Sequence, residues 1–504
     1  AEAGLSVSIK VAVFRSFSLY PPRWLMRAYR GEGIRDRDGK CQVGGLCRLP
    51  CIDDPLYQRQ ARRYFEALAR HFADSGVMRH WMIWGEATFP GGCFCRHTVG
   101  RFRAWLRERY GSVEALNAAW NTESPSDYVS WSEIDPPLTQ GHYGGYVPYL
   151  DWQQFLDANL TAHVAWLHGL VRAIDRRHPT LVETWLGSEN ESGGGKDEWR
   201  LAGAADQLGL STFDQLPEAR ATSMERLRSI AESRGKEAWA VELQGGPVMF
   251  SWFSGTPSAR QIALLAWQMV ARGAKGVFYW TYRPRMSDGE GGEFGMVRRD
   301  GSLTERARRV GEVSRTLQRH ARLFRTARQQ AQVAIFCSRM AEHLAKIDNK
   351  DLPQNPFYST AIAAAHLMML KRHVPADGID PAAIAGGRLT RYKVLLMPFS
   401  HCLSRETAGH IKAFVAAGGT VIADFPCALK DERGVCYSTL PGAELDDLFG
   451  VVEEDVAKTE EARIRMRRGV WPGAAAVLPA ITARHFRQDL ALRTEPILRV
   501  AKVR

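Results

Sequence analysis

The chain has 504 residues, 45% hydrophobic and 24% charged, which suits two or three packed domains and excludes a disordered chain. No run of about 18 apolar residues occurs, which excludes a membrane-spanning helix. The net charge of +12 is scattered and interleaved with apolar residues, as from Arg101 to Arg109; a nucleic-acid binder would gather it into a stripe with a matching motif.

In chain order, the opening Glu2-Ala3-Gly4-Leu5-Ser6 reads as a helix end and a glycine stop, followed by a strand Val7–Phe14. The chain is thus expected to begin inside a fold. No signal peptide precedes it, and a cytoplasmic location is expected. Further strands are predicted at His80–Trp84, Thr180–Trp185, Leu208–Phe213, Ala238–Leu243 and Gly276–Tyr282. Each is short and apolar, as a strand buried on both faces should be. Helical stripes lie between them: Phe102, Trp105, Leu106 and Tyr110; then Leu160, Val164, Leu167 and Val171; then Ile262, Leu265, Ala266 and Met269. Each stripe reads as core packing. Six βα repeats imply a parallel sheet, either closed as a barrel or doubly wound and open. Six is two short of a (β/α)8 barrel.

A smaller α/β region follows, with strands Val333–Phe336, Val394–Met397 and Thr420–Ala423 and a helix Ala408–Ala417 closed by Gly418-Gly419. The expected domains are 1–322, 323–450 and 451–504, the last alternating weakly like the start of a β domain.

Two carboxylates stand out by position. Glu86 follows the strand ending at Trp84, and Glu242 ends the strand Ala238–Leu243. Catalytic groups of barrels sit at the C-terminal ends of strands. Acetal hydrolysis needs such a pair: one acid protonates the leaving oxygen, and the other carboxylate attacks the anomeric carbon or activates water. Trp81, Trp84, Trp239 and Trp252 are aromatic neighbours of the kind that suit sugar faces. Of the nine cysteines, five fall between Cys41 and Cys95, a local cluster that reads as a metal site in a reducing compartment.

The segment Trp84-Gly85-Glu86, Cys93-Phe94-Cys95, Phe102 to Leu106, Tyr110-Gly111, Leu116-Asn117 and Ala119-Trp120 resembles the hallmark of the β-galactosidases of glycoside hydrolase family 42. Further matches are Pro22 to Leu25, Asp38-Gly39-Lys40, Cys51 ahead of Asp54 to Tyr57, Ala240 to Pro247, and Phe278 to Arg283 running on to Ser287 and Glu290. Residues 323–450, including Leu440-Pro441-Gly442 and Leu445 to Gly450, resemble the family's amidotransferase-like trimerisation domain. The resemblance covers about nine-tenths of the chain, with its motifs in order.

The resemblance implies a (β/α)8 TIM barrel missing its first two strands, followed by a class I amidotransferase-like α/β domain. It implies a retaining glycosidase acting on terminal β-D-galactosides or related β-glycosides, with Glu86 as acid/base and Glu242 as nucleophile. Glu290, Arg283, Trp252, Trp280 and Glu293 fall where sugar contacts are expected. Cys51, Cys93 and Cys95 match three positions of a four-cysteine zinc site; the fourth is Thr98, with His97, Cys41 or Cys47 as other candidates. Such a zinc would be structural, and the chemistry itself needs no cofactor. A homotrimer is implied, with a small carbohydrate as substrate and neither nucleic acid nor membrane as partner.

The sequence departs from the family pattern at Gly85, where the family has an Asn that contacts the sugar near its 2-hydroxyl. It departs also at Glu293, in place of a His, and at Pro125, in place of a sugar-lining Trp. Gly85 keeps open an alternative, a catalytically degenerate carbohydrate-binding barrel. A second alternative, amidotransferase-like chemistry at Cys402, lacks the flanking glycines and the downstream His-x-Glu that such a nucleophile needs. Cys402 therefore reads as a core thiol.

Overall fold

The computed structural model describes residues 5–11, 33–44, 47–89, 92–120, 127–138, 146–185, 195–213, 216–250, 254–287, 289–348, 357–424, 426–464 and 481–492. The chain divides into two compact units, Ala1–Ala331 with Lys346–Ile379, and Gln332–Ala345 with Asp380–Arg504.

The first unit is built on six strands: β1 Val7–Lys10, β2 Met78–Trp84, β3 Thr180–Trp185, β4 Gln207–Thr212, β5 Glu237–Gln244 and β6 Val277–Trp280. They form one sheet in sequential order, and each adjacent pair is parallel. Helices intervene: α1 Pro55–Phe72 after β1, α2 Arg96–Tyr110, α3 Val113–Trp120 and α4 Val147–Arg172 after β2, α5 Glu198–Ala204 after β3, α6 Pro217–Ser233 after β4, and α7 Ala259–Ala271 after β5. This is the βα alternation of a TIM-type barrel, with six strands among the described residues.

Local chemistry fixes these elements. Asp54 caps α1, its carboxylate accepting from Leu56 N, with Pro55 in the first turn. A reciprocal capping box of Ser258 and Gln261 opens α7. Met82, Leu181 and Val241, from β2, β3 and β5, cluster with Trp239 and Phe278. Gly209 of β4 lets them meet, since a Cβ there would lie 2.8 Å from Val241 Cγ2 and 3.0 Å from Leu181 Cδ2. Tyr57, Phe65, Trp81, Phe102 and Trp152 are fully buried. The indole of Trp81 donates to Asp175 Oδ2 at 2.8 Å.

The described part of β1 ends at Lys10; most of the remainder of the predicted strand lies outside the described residues. β6 stops at Trp280, short of the predicted Tyr282, because the chain turns away: Thr281 N donates to Phe294 O and Met296 N to Thr281 O.

The strand Ala376–Ile379 was not predicted, since Ala-Asp-Gly-Ile has no clear pattern. It belongs to the first unit. Ser229 Oγ on α6 accepts from Gly378 N at 3.0 Å, and the buried Arg228 donates to Asp377 at 2.6 Å.

In the second unit, strand Val394–Met397 lies between Val333–Phe336 and Thr420–Ala423, all parallel. These three strands have the predicted bounds. A long antiparallel pair, Val451–Ile464 with Ile481–Leu492, follows.

Candidate active site

The C-terminal ends of β1 to β6 carry a set of charged groups. Glu242, near the end of β5, is 8% exposed. Its Oε1 lies 2.6 Å from Lys10 Nζ, and its Oε2 accepts from Ser211 Oγ at 3.2 Å. Register explains the second contact, because Ser211 of β4 is the Cα partner of Glu242. Lys10 ends β1 and also pairs with Glu183 Oε2 of β3 at 2.9 Å. One ammonium thus faces two carboxyls.

The two carboxyls differ in surroundings. Glu183 is fully buried. Burial and the charge of Glu242 push its carboxyl up to about 8, with Lys10 opposing and Glu86 adding to the rise. Lys10 is held above the ordinary lysine value: burial works against its charge, and Glu183 and Glu242 outweigh that.

Glu86 lies two residues beyond β2 and adopts a positive φ of 49°. This left-handed region is unfavourable for a residue with a Cβ, by about 1–3 kcal/mol, and such residues gather at functional sites. The turn is anchored by Ala87 N donating to Glu183 O at 2.8 Å. Glu86 thus follows the C-terminal end of β2, as Glu242 lies near that of β5, and the charge of both adds to the rise at Glu183.

Trp280 ends β6. Lys10 Nζ lies 5.9 Å from its ring centroid and the Arg285 guanidinium 5.8 Å. Its indole nitrogen donates to Glu290 Oε2 at 3.2 Å, and Arg285 approaches the same oxygen at 3.8 Å. Glu290 and Trp280 are therefore joined to the group around Lys10. Arg283 is exposed and donates to Arg299 O at 3.1 Å. Glu293 is buried, its Oε1 accepting from Met249 N at 2.7 Å and Phe250 N at 2.6 Å, so it holds the loop after β5. Trp252 and Pro125 lie outside the described residues.

Lys10, Glu183 and Ser211 were not picked out from sequence. The signal was present for two of them: Lys10 in Val-Ser-Ile-Lys-Val and Glu183 in Leu-Val-Glu-Thr-Trp are charges inside apolar strands, where an unpaired charge is costly.

A second cluster joins the segment before α1 to the start of α2. Cys51, Cys93 and Cys95 are buried, with sulfurs within 4.8 Å of one another. Cys95 Sγ is 3.6 Å from Cys51 Sγ. Sulfurs around a tetrahedral zinc lie about 3.8 Å apart, from bonds of about 2.3 Å. The spacing and softness of these three donors therefore fit zinc. Thr98 Oγ1 is 3.3 Å from Cys51 Sγ and 3.7 Å from Cys95 Sγ, and donates to Asp53 Oδ2 at 2.6 Å. Asp53 is further held by His163, Asn159 and Arg101. Hydrogen bonds from the other two thiols lower the Cys95 thiol well below its ordinary value. In the second unit, Cys402 is buried with its thiol directed to Asp431 O at 3.4 Å.

Carboxyls gathered at the C-terminal ends of parallel βα strands are what a glycosidase of the barrel class requires. The family model described as beta-galactosidase, that of glycoside hydrolase family 42, matches residues 2–320, and its beta-galactosidase trimerisation domain matches residues 331–490. The chain belongs to this family. It is similar to the β-galactosidase LacZ of Heyndrickxia coagulans, 23% identical over 94% of the chain and 70% of that protein. It is also similar to BgaB of a Geobacillus strain, 24% identical over 88% of the chain and 65% of that protein. Among solved structures, the cold-adapted β-galactosidase from Rahnella sp. R3 superposes with a TM-score of 0.83 at 22% identity, covering 98% of this chain and 71% of that one. The chain thus spans about two thirds of the length of these relatives.

Proposed function

We propose that the chain hydrolyses terminal β-D-galactosides, or closely related β-glycosides, with retention of configuration. Glu242 attacks the anomeric carbon and forms a glycosyl-enzyme. Glu86 gives a proton to the leaving oxygen and then takes one from the water that releases the sugar. The observation that carries this reading is the setting of Glu242: a strand-end carboxylate gripped by an ammonium and a hydroxyl, with Glu86 at the same end of the sheet. Two donors to one carboxylate orient it for attack. A binding-only barrel would have no use for that arrangement. Trp280 and Glu290, joined to each other by a hydrogen bond, contact the sugar in this reading. Arg283 and Glu293 act further out, through Arg299 and the 247–250 loop.

Glu242→Ala should abolish turnover of an aryl β-galactoside while leaving the circular dichroism unchanged. Glu86→Ala should lower the rate on a poor leaving group by about 10²–10⁴-fold. Azide should restore the Glu86→Ala variant on an activated substrate, giving the β-azide. Near-normal turnover by Glu242→Ala would contradict the assignment.

The same reading gives Cys51, Cys93 and Cys95 to one structural zinc, supported by their spacing and burial. It makes the active assembly a homotrimer, supported by the match of residues 331–490 to a trimerisation domain. The free, mostly buried thiols support a reducing compartment such as the cytoplasm; no helix among the described residues is long and apolar enough to cross a membrane.

A further inference from the structure

Lys10 and Gly85 occupy one volume. A Cβ on Gly85 would lie 2.0 Å from Lys10 Cε, 2.7 Å from Lys10 Nζ and 3.1 Å from Glu183 Oε2. Any side chain at position 85 and the observed placement of Lys10 are therefore mutually exclusive. The absence of a side chain at 85 lets an ammonium reach from β1 to Glu242 Oε1 at 2.6 Å.

The position of that ammonium has a consequence for the substrate. The attacking oxygens of Glu242 must meet the anomeric carbon. A donor 2.6 Å from one of them is then within reach of the hydroxyl on the adjacent carbon. An ammonium has three N–H donors. One goes to Glu242, and Glu183 Oε2 stands 2.9 Å from Nζ as an ion-pair partner, so a donor is left for the sugar. Hydrogen bonds to the 2-hydroxyl strengthen in the oxocarbenium-like transition state. The ring of Trp280, 5.9 Å from Nζ, forms an apolar wall beside the ammonium. Glu183, fully buried on β3, faces the same ammonium from the other side, and burial disfavours its charge.

We propose that Lys10 donates to the 2-hydroxyl of the bound sugar, and that Gly85 is the residue that makes room for it. Lys10 is then a specificity-determining catalytic residue contributed by β1, and positions 10 and 85 form one coupled unit. The proposal rests on the glycosidase reading above.

The test compares an aryl β-D-galactoside with its 2-deoxy analogue, using the 504-residue chain. Lys10→Met keeps the length of the side chain and removes its donors. It should lower kcat/KM on the parent sugar by about 10²-fold, and on the 2-deoxy sugar about tenfold less than that. Lys10→Gln, which keeps an N–H donor, should recover part of the discrimination. Gly85→Asn should be impaired on its own, because its side chain displaces Lys10. Lys10→Ala combined with Gly85→Asn should be more active than Gly85→Asn alone.

Equal losses on the two substrates in Lys10→Met would confine Lys10 to holding Glu242 and overturn the proposal, as would a Lys10→Ala/Gly85→Asn pair no more active than Gly85→Asn alone. A fold defect in Lys10→Met would show in circular dichroism, and the Gly85→Asn pair of variants then decides. Failure of the underlying function is distinguishable: wild type would hydrolyse neither sugar.

Discussion

Glu183 holds a proton in the fold at pH values where a free glutamate has lost it. Its folded value of about 8 stands above the unfolded value of about 4.3. Between those values the unfolded chain binds fewer protons than the folded one, so this group makes stability fall as pH rises. Glu183→Gln copies the neutral form and removes that dependence. The unfolding midpoint of wild type relative to Glu183→Gln should drop as pH goes from about 5 to about 8. A constant difference across that range would show that Glu183 is ionised throughout. The two catalytic candidates were legible as carboxylates at strand ends; Glu242 lies near the end of β5 and Glu86 two residues beyond β2. Their setting was not legible. That Lys10 lands on Glu242 depends on a pairing across the sheet, 232 residues apart in sequence, and no local pattern records it. Gly85 was noticed as a departure, but the side chain that fills its space could only be seen in three dimensions.

At the scale of elements, the loop between α4 and β3 is tied to β2 by Asp175. It accepts from Trp81 Nε1 at 2.8 Å, His178 Nδ1 at 2.7 Å, Arg177 N at 2.9 Å and His178 N at 3.1 Å. Burial opposes its charge, but these donors hold its carboxyl below the usual range. The stabilisation is complete above the unfolded value near 3.9 and is lost as pH falls through the lower folded one. Asp175→Asn should cost about 1–3 kcal/mol at pH 7 by denaturant unfolding, with the gap from wild type closing in acid. No loss at pH 7 would contradict this role.

The cysteine cluster joins two other elements, the segment before α1 and the start of α2. Purified protein should carry about one zinc per chain by elemental analysis, and Cys93→Ser should lose it. Zinc-free protein of undiminished stability would reject the site. Strands with apolar runs were readable because each is buried on both faces. Ala376–Ile379 was not, since its place is set by Arg228, Ser229 and Glu225 on α6, far away in sequence.

For the whole molecule, the succession of six parallel strands with intervening helices was readable from periodicity alone, whereas closure as a barrel and the order of strands rested on family likeness. The family match over residues 2–320 and 331–490 places the whole architecture in one lineage. Sequence left the segment after 450 as weak alternation; its described residues, Val451–Ile464 and Ile481–Leu492, form two long paired strands. In the proposed reaction Glu242 forms a covalent bond to the sugar. Incubation with an activated 2-deoxy-2-fluoro-β-D-galactoside, followed by peptide mass spectrometry, tests it most directly. One fluorosugar per chain is expected, attached to Glu242 and absent in Glu242→Ala. A label on Glu183 or Glu290, or product of inverted configuration with no label, would contradict it.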